Sequence, residues 1–179
     1  MAILPQIDDK ILTARTLNFL GDIERIEGNT TAARLHFEES LAICRQFNLK
    51  GDLIYSFANM GAINFEEGNF ATSNSFFAEA LAMAQEFKDK KMISIALDGF
   101  AALAVKRGEL ALAARLAGVE QSLCEKIGYE KEPADRRFRD AYLAELKSKM
   151  DESDFSEFYE QGRKLKLEEV IALVTSLEY

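Results

Sequence analysis

One phrase returns three times at a fixed interval. "IEGNTTAARLHFEESL", "FEEGNFATSNSFFAEAL" and "VKRGELALAARLAGVEQSL" align on Gly28, Gly68 and Gly108, which stand 40 residues apart. Seven residues before each glycine comes Gly21, Gly61 or Ala101, preceded by Leu20, Met60 or Phe100. Five residues after it comes Ala33, Ser73 or Ala113, and nine after it Phe37, Phe77 or Ala117. Nineteen after it comes Phe47, Phe87 or Ile127. Each glycine suits a helix end, because a residue without Cβ accepts the left-handed cap. Small residues in mid-helix let two helices approach closely, and large ones a turn away fill the groove between them. A single helical hairpin cannot bury both its faces, so self-similarity at this period predicts stacked hairpins.

Composition agrees. Hydrophobic residues make up 48% of the 179 and charged residues 29%, with only two prolines. Ala, Leu, Glu and Lys are plentiful, which favours helix. The expected first helices run over about 8–27, 51–67 and 91–107, and the second helices over about 31–48, 71–88 and 111–128. The repeats therefore span about 8–48, 51–88 and 91–128 of a single domain covering 1–179.

The repeat stops after Gly128. "GYEKEP" reads as a turn, and Pro133 fits the first turn of a helix. Phe138, Tyr142, Leu146 and Met150 recur every four residues, so 134–149 is expected as an amphipathic helix. A short helix over about 152–162 follows, then a last one with Leu167, Val170, Ile171, Val174 and Leu177 on one face. These helices, within 133–179, are expected to cap the stack.

The paired Leu20-Gly21, Met60-Gly61 and Phe100-Ala101, the three glycines, Ala33 and Ala113, and Phe37 and Phe77 resemble the tetratricopeptide repeat family, in a 40-residue variant. That resemblance implies an all-α superhelical solenoid of three helical hairpins with a C-terminal helical cap. The third copy departs most: Ala117 replaces the aromatic, Gln121 the leucine, and Glu120 stands where Ser40 and Ala80 stood. The tail phrase "FSEFYEQGRKLKLEEVIALV" is similar to one that ends the helical-repeat region of large bacterial signalling ATPases and LuxR-type transcriptional regulators. The matching residues are Phe155, Gly162, Arg163, Leu165, Leu167, Glu168, Glu169 and Val170 to Leu173, with Pro133, Tyr142 and Leu146 at the preceding helix. This second resemblance implies a regulatory or scaffold part of such a protein. No Gly-rich phosphate loop ending in GK[ST] and no basic recognition helix accompanies it.

Charge and motifs narrow the function. The net charge of −8 argues against direct nucleic-acid binding, which rests on cations set against phosphates. Arg136, Arg137 and Arg139 are flanked by Asp135 and Asp140 and read as a solvated helix face. No basic stretch followed by an apolar run marks a signal peptide. The longest uncharged run, Leu53 to Phe65, is too short to span a membrane. A cytoplasmic protein is expected.

No constellation suggests an enzyme, a cofactor or a metal. Cys44 and Cys124 lie two periods apart on equivalent turns, too far for a disulfide, and read as reduced packing residues. His36, the only histidine, lacks a nearby base or nucleophile and reads as a groove-edge residue. The pairs Glu38-Glu39, Glu66-Glu67 and Glu168-Glu169 point about 100° apart on helices and do not converge.

The concave wall is the stronger candidate. In the resembled fold the first helices line it. Helical stepping places Arg15, Asn18, Asp22 and Arg25 there, then Tyr55 and Phe65, then Asp98 and Lys106. Apolar anchors between charged flanks suit a peptide or helix from a protein partner. The alternative is a small-molecule sensor with its pocket at Tyr55 and Phe65. Finally, the first helix is expected to expose an apolar edge at Ile11 and Leu12, to be covered either by a folded-back N-terminus ("AILP") or by a homodimer through the N-terminal hairpin.

Overall fold

The structure, a computed structural model, describes residues 3–175, with side chains from residue 7 onward. The described residues form nine α-helices and no strand. They divide into two compact units, residues 1–87 and 88–179, with the boundary between the second and third copies of the phrase.

The first unit holds α1 (Ile3–Glu27), α2 (Thr30–Gln46), α3 (Lys50–Glu66) and α4 (Phe70–Glu86). Each aligned glycine caps a first helix with positive φ, +86° at Gly28, +82° at Gly68 and +77° at Gly108. The following amide closes the end by reaching back five residues: Asn29 to the Glu24 carbonyl and Asn69 to the Asn64 carbonyl, both at 2.8 Å, and Glu109 to Ala104 at 2.9 Å. This is the Schellman arrangement. The same left-handed step recurs between hairpins at Asn48 and Lys88. In α1 the helix runs straight through residues 3–7, so the N-terminal segment extends α1 and does not fold back over it.

The small-large pairs of the phrase touch. A Cβ built on Gly21 would lie 2.3 Å from the Phe37 ring, and one on Gly61 would lie 2.8 Å from the Phe77 ring. Phe37, Phe77, Leu41, Leu81, Ile54 and Ile63 are buried around these contacts. Buried hydroxyls add directional ties. Ser40 donates to the Ala14 carbonyl at 2.9 Å and lies 3.1 Å from the Ser56 hydroxyl, linking α2 to α1 and to α3. Ser73 donates to the Gly61 carbonyl at 2.8 Å.

The second unit holds α5 (Lys90–Arg107), α6 (Leu110–Ile127), α7 (Pro133–Ser148), α8 (Glu152–Lys164) and α9 (Leu167–Thr175). Here Ala101 and Ala117 replace the glycine-aromatic pair, and the space goes to a different neighbour. α8 lies across α6 with backbone on backbone. A Cβ on Gly118 would come within 2.1 Å of the Tyr159 carbonyl oxygen, and one on Gly162 within 2.1 Å of the Arg115 carbonyl oxygen. α7 packs along α5, and Phe138, Tyr142 and Leu146 are buried. Val170, Ile171 and Val174 of α9 are buried as well, and α9 meets α6; Leu177, assigned to the same face, lies outside the described residues.

Candidate partner-binding surface

The first unit carries six of the eight wall residues, and the packing of α3 beside α1 sorts them. Arg15 is exposed and its Nε meets Asp52 at 2.6 Å. Tyr55 and Phe65 are half-buried, and the Phe65 ring lies 5.5 Å from that of Phe70. Asp22 is partly exposed. Asn18 and Arg25 depart from the open wall expected for them. They sit in the seam between α1 and α3, 7% and 5% exposed. There Asn18 accepts from Asn59 at 3.5 Å, and Arg25 pairs with Glu66 at 3.1 Å and Asp22 at 3.6 Å. Wall and seam positions are neighbours on one helix, so helical stepping does not separate them.

In the second unit the corresponding seam is closed by α7, at the offset α3 has from α1: Arg139 meets Asp98, as Asn59 meets Asn18, 41 residues on. α7 lies along α5 and meets it at three places on one face. Lys91 reaches Glu132 at the head of α7 at 2.7 Å, and Lys106 reaches Glu145 at 2.6 Å. Between them Asp98, only 3% exposed, accepts from Arg139 Nη1 at 2.7 Å and from the Tyr142 hydroxyl. Asp98 and Lys106 therefore bind the chain's own α7. The spacing of 91, 98 and 106 against 132, 139 and 145 is that of two helices laid side by side.

The centre of this contact is a buried ionic network. Glu120 of α6 pairs with Arg139 and, at 2.6 Å, with Lys131; Lys131 also reaches Asp98 at 2.6 Å. Arg139 Nη2 donates to the Ala117 carbonyl at 3.2 Å. Two carboxylates thus face two cations, and the network is neutral as a whole. Burial raises the pKa of Glu120, and the charge of Asp98 adds to this against the pull of Arg139 and Lys131. Burial also works to deprotonate Lys131, but the two carboxylates outweigh it and its pKa rises. Tyr142 is pushed well up by burial and then by Asp98, so it stays a donor. Cys124 donates to Glu120 at 2.8 Å, and burial followed by that carboxylate lifts its thiol to about 12.

Arg139 corrects the reading of the arginine run. Arg136 and Arg137 are solvated, but Arg139 is 7% exposed and belongs to the network. Sequence reasoning also passed over Lys131, read only as part of a turn. One signal pointed to both. Glu120 and Asp98 stand at positions where the other copies bury Ser40 and Ala80, and Asn18 and Ala58. Two carboxylates placed inward require cations from elsewhere in the chain.

The remaining candidates are simpler. Cys44 and Cys124 are both free and buried. His36 is half-buried, and the three glutamate pairs are exposed. No helix among the described residues is long and apolar enough to cross a membrane. A solvent-open recess of about 730 Å³ lies in the second unit, lined in part by Leu110, Leu112, Arg115, Met150, Asp154 and Phe158, and is not at Tyr55 and Phe65. No family model, no curated protein and no solved structure matches the chain.

Proposed function

We propose that this chain is a non-enzymatic, tetratricopeptide-like helical-repeat module of the cytoplasm. It binds a protein segment along the α1–α3 wall of the first unit, in bacterial signalling or transcription regulation. The observation that carries the reading is α7 on α5. Within this chain, α5 of the third copy of the phrase already holds a helix, through charges spaced along one face and a buried ionic centre. The first unit offers a surface with half-exposed Tyr55 and Phe65 between Arg15, Asp22 and Glu66. An amphipathic helix presenting apolar anchors and mixed charge fits such a surface. The regulatory role rests on the resemblance of the tail phrase alone.

Selection of a peptide library on the purified chain tests this. Helical amphipathic ligands should emerge, and Tyr55→Ala or Arg15→Glu should weaken them about tenfold or more, as expected for an interface anchor. A library yielding no ligand, or ligands indifferent to both changes, overturns it. The runner-up, a small-molecule sensor, would instead use the solvent-open recess beside α6 and α8. Its signature is a ligand-induced rise in Tm that Arg115→Ala removes.

A further inference from the structure

α1 has two apolar faces. One, with Ala14, Leu17 and Gly21, is buried within the first unit. The opposite one carries Leu12, Thr16, Phe19, Ile23 and Ile26 at intervals of four, three, four and three residues, the spacing of a helix-pairing seam. Leu12 is 66% exposed, Phe19 61%, Ile23 52% and Ile26 41%, with Leu20 at the margin, also 41%. The Thr16 hydroxyl donates to the Leu12 carbonyl at 2.8 Å, so the seam demands no outside polar partner there.

The repeat says what such a seam does. Forty residues later the same positions on α3 are Asp52, Ser56, Asn59, Ile63 and Glu66. Four of them bond to the hairpin before: Asp52 to Arg15 at 2.6 Å, Ser56 to Ser40 at 3.1 Å, Asn59 to Asn18 at 3.5 Å and Glu66 to Arg25 at 3.1 Å. Ile63 is fully buried. On α3 this stripe is therefore the docking face for a helical hairpin, keyed to it by polar pairs. On α1 the keys are replaced by apolar side chains.

We infer that the α1 stripe is a homodimer interface, with a second copy of this chain laid antiparallel along it. Three observations select that occupant. A stripe without charge has no polar key for a particular foreign hairpin, but it matches itself across a two-fold axis. Phe19 lies midway between Leu12 and Ile26, so an antiparallel copy sets Leu12 against the partner's Ile26 and the two Phe19 rings together at the centre, where interface anchors concentrate. The five apolar side chains expose about 500 Å², taking about 200 Å² for each when free. A standard interface of about 800 Å² per partner, a little over half of it apolar, needs about 450 Å².

Sedimentation equilibrium of the full chain over a concentration series, paired with oxidative cross-linking, decides the matter. The unchanged chain should fit a dimer, and Phe19→Glu should make it monomeric with its helix content unchanged, while its melt loses the concentration dependence that a dimer shows. Leu35→Glu changes an equally exposed leucine on α2, 62% accessible, and should leave the dimer intact. Phe19→Cys should form a disulfide-linked dimer on mild oxidation, whereas Leu35→Cys should not; Cys44 and Cys124 are buried and stay out of the reaction. A monomer throughout the series overturns the inference. So does a dimer that survives both Phe19→Glu and Ile23→Glu. The peptide-binding reading at Tyr55 is independent of either result, whereas Arg15, one turn from both Leu12 and Phe19, flanks the same stripe.

Discussion

The two units finish the same hairpin in opposite ways. In the first, interior positions of α1 and α2 carry Asn18, Ser40 and Cys44, and hydroxyls bond to carbonyls and to each other. In the second, the positions 80 residues on carry Asp98, Glu120 and Cys124, and Lys131 and Arg139 arrive to neutralise them. The aromatic plug follows the same division. Phe37 and Phe77 press on glycines, while Ala117 and Gly118 leave room for Arg139 and for α8. The backbone phrase tolerates either interior. What differs is the neighbour: small polar residues where a hairpin meets a hairpin, and buried charge where α7 covers the wall.

The largest effect is expected from splitting the network. Arg139→Met leaves Asp98 and Glu120 sharing Lys131 and should cost about 3–5 kcal/mol in urea unfolding. Converting the whole network to a first-unit interior tests the comparison itself. Asp98→Ala, Glu120→Ser, Lys131→Met and Arg139→Met together should recover most of that loss, because a buried ion cluster replaced entirely by neutral residues is often no less stable. If the fourfold variant is as unstable as the single one, the two interiors are not interchangeable.

Next comes Gly162→Ala. Its new methyl group would run into the Arg115 carbonyl, and two helix backbones must part, for a loss of about 1–3 kcal/mol. Hydrogen exchange should show the loosening in α6 and α8 while α1 and α2 keep their protection. Ser40→Ala is the first-unit counterpart and is milder, about 0.5–1.5 kcal/mol for a buried neutral hydrogen bond. A cost equal to that of Arg139→Met would erase the distinction between the units.

Acidity sharpens the contrast further. Glu145 has its pKa lowered from 4.5, first by its hydrogen bond to Lys106 and then by that to Lys149. Its contribution is present above the unfolded value and is lost as pH falls through the folded one. Glu120 has the opposite sign. Raised by burial and by Asp98, it contributes most below 4.5 and loses that contribution as pH rises through its folded value. Urea midpoints of Glu145→Gln should therefore fall less than those of the unchanged chain on the acid side. A parallel acid decline in both would remove Glu145 from the account.

Much of the fold was legible because the period is a direct record of packing. The glycines located the hairpin turns, and the glycine-aromatic pairs located the contacts of α1 with α2 and of α3 with α4. The second-helix starts near 31, 71 and 111 lie within one residue of Thr30, Phe70 and Leu110. The start of α1 was placed at about 8, whereas the helix begins at Ile3. Pro5 near its head is no obstacle, since a first-turn proline gives up no helical hydrogen bond. The interaction surface was less legible. Stepping along a helix identifies a face but not the segment that covers it. Asp98 and Lys106 were read as part of an open wall, whereas α7 lies against that side of α5 and buries Asp98. Arg139 was hidden within a run of arginines because its partners are 41 and 19 residues away.

The central claim is that the buried network holds α7 on α5. Hydrogen exchange of the intact chain, followed amide by amide, tests it most directly. The account predicts that α7 opens only with α5 and α6, so its buried turn around Arg139 and Tyr142 exchanges as slowly as theirs, and that Arg139→Met releases α7 first. Rapid exchange throughout α7 in the unchanged chain, with α5 still protected, would contradict it.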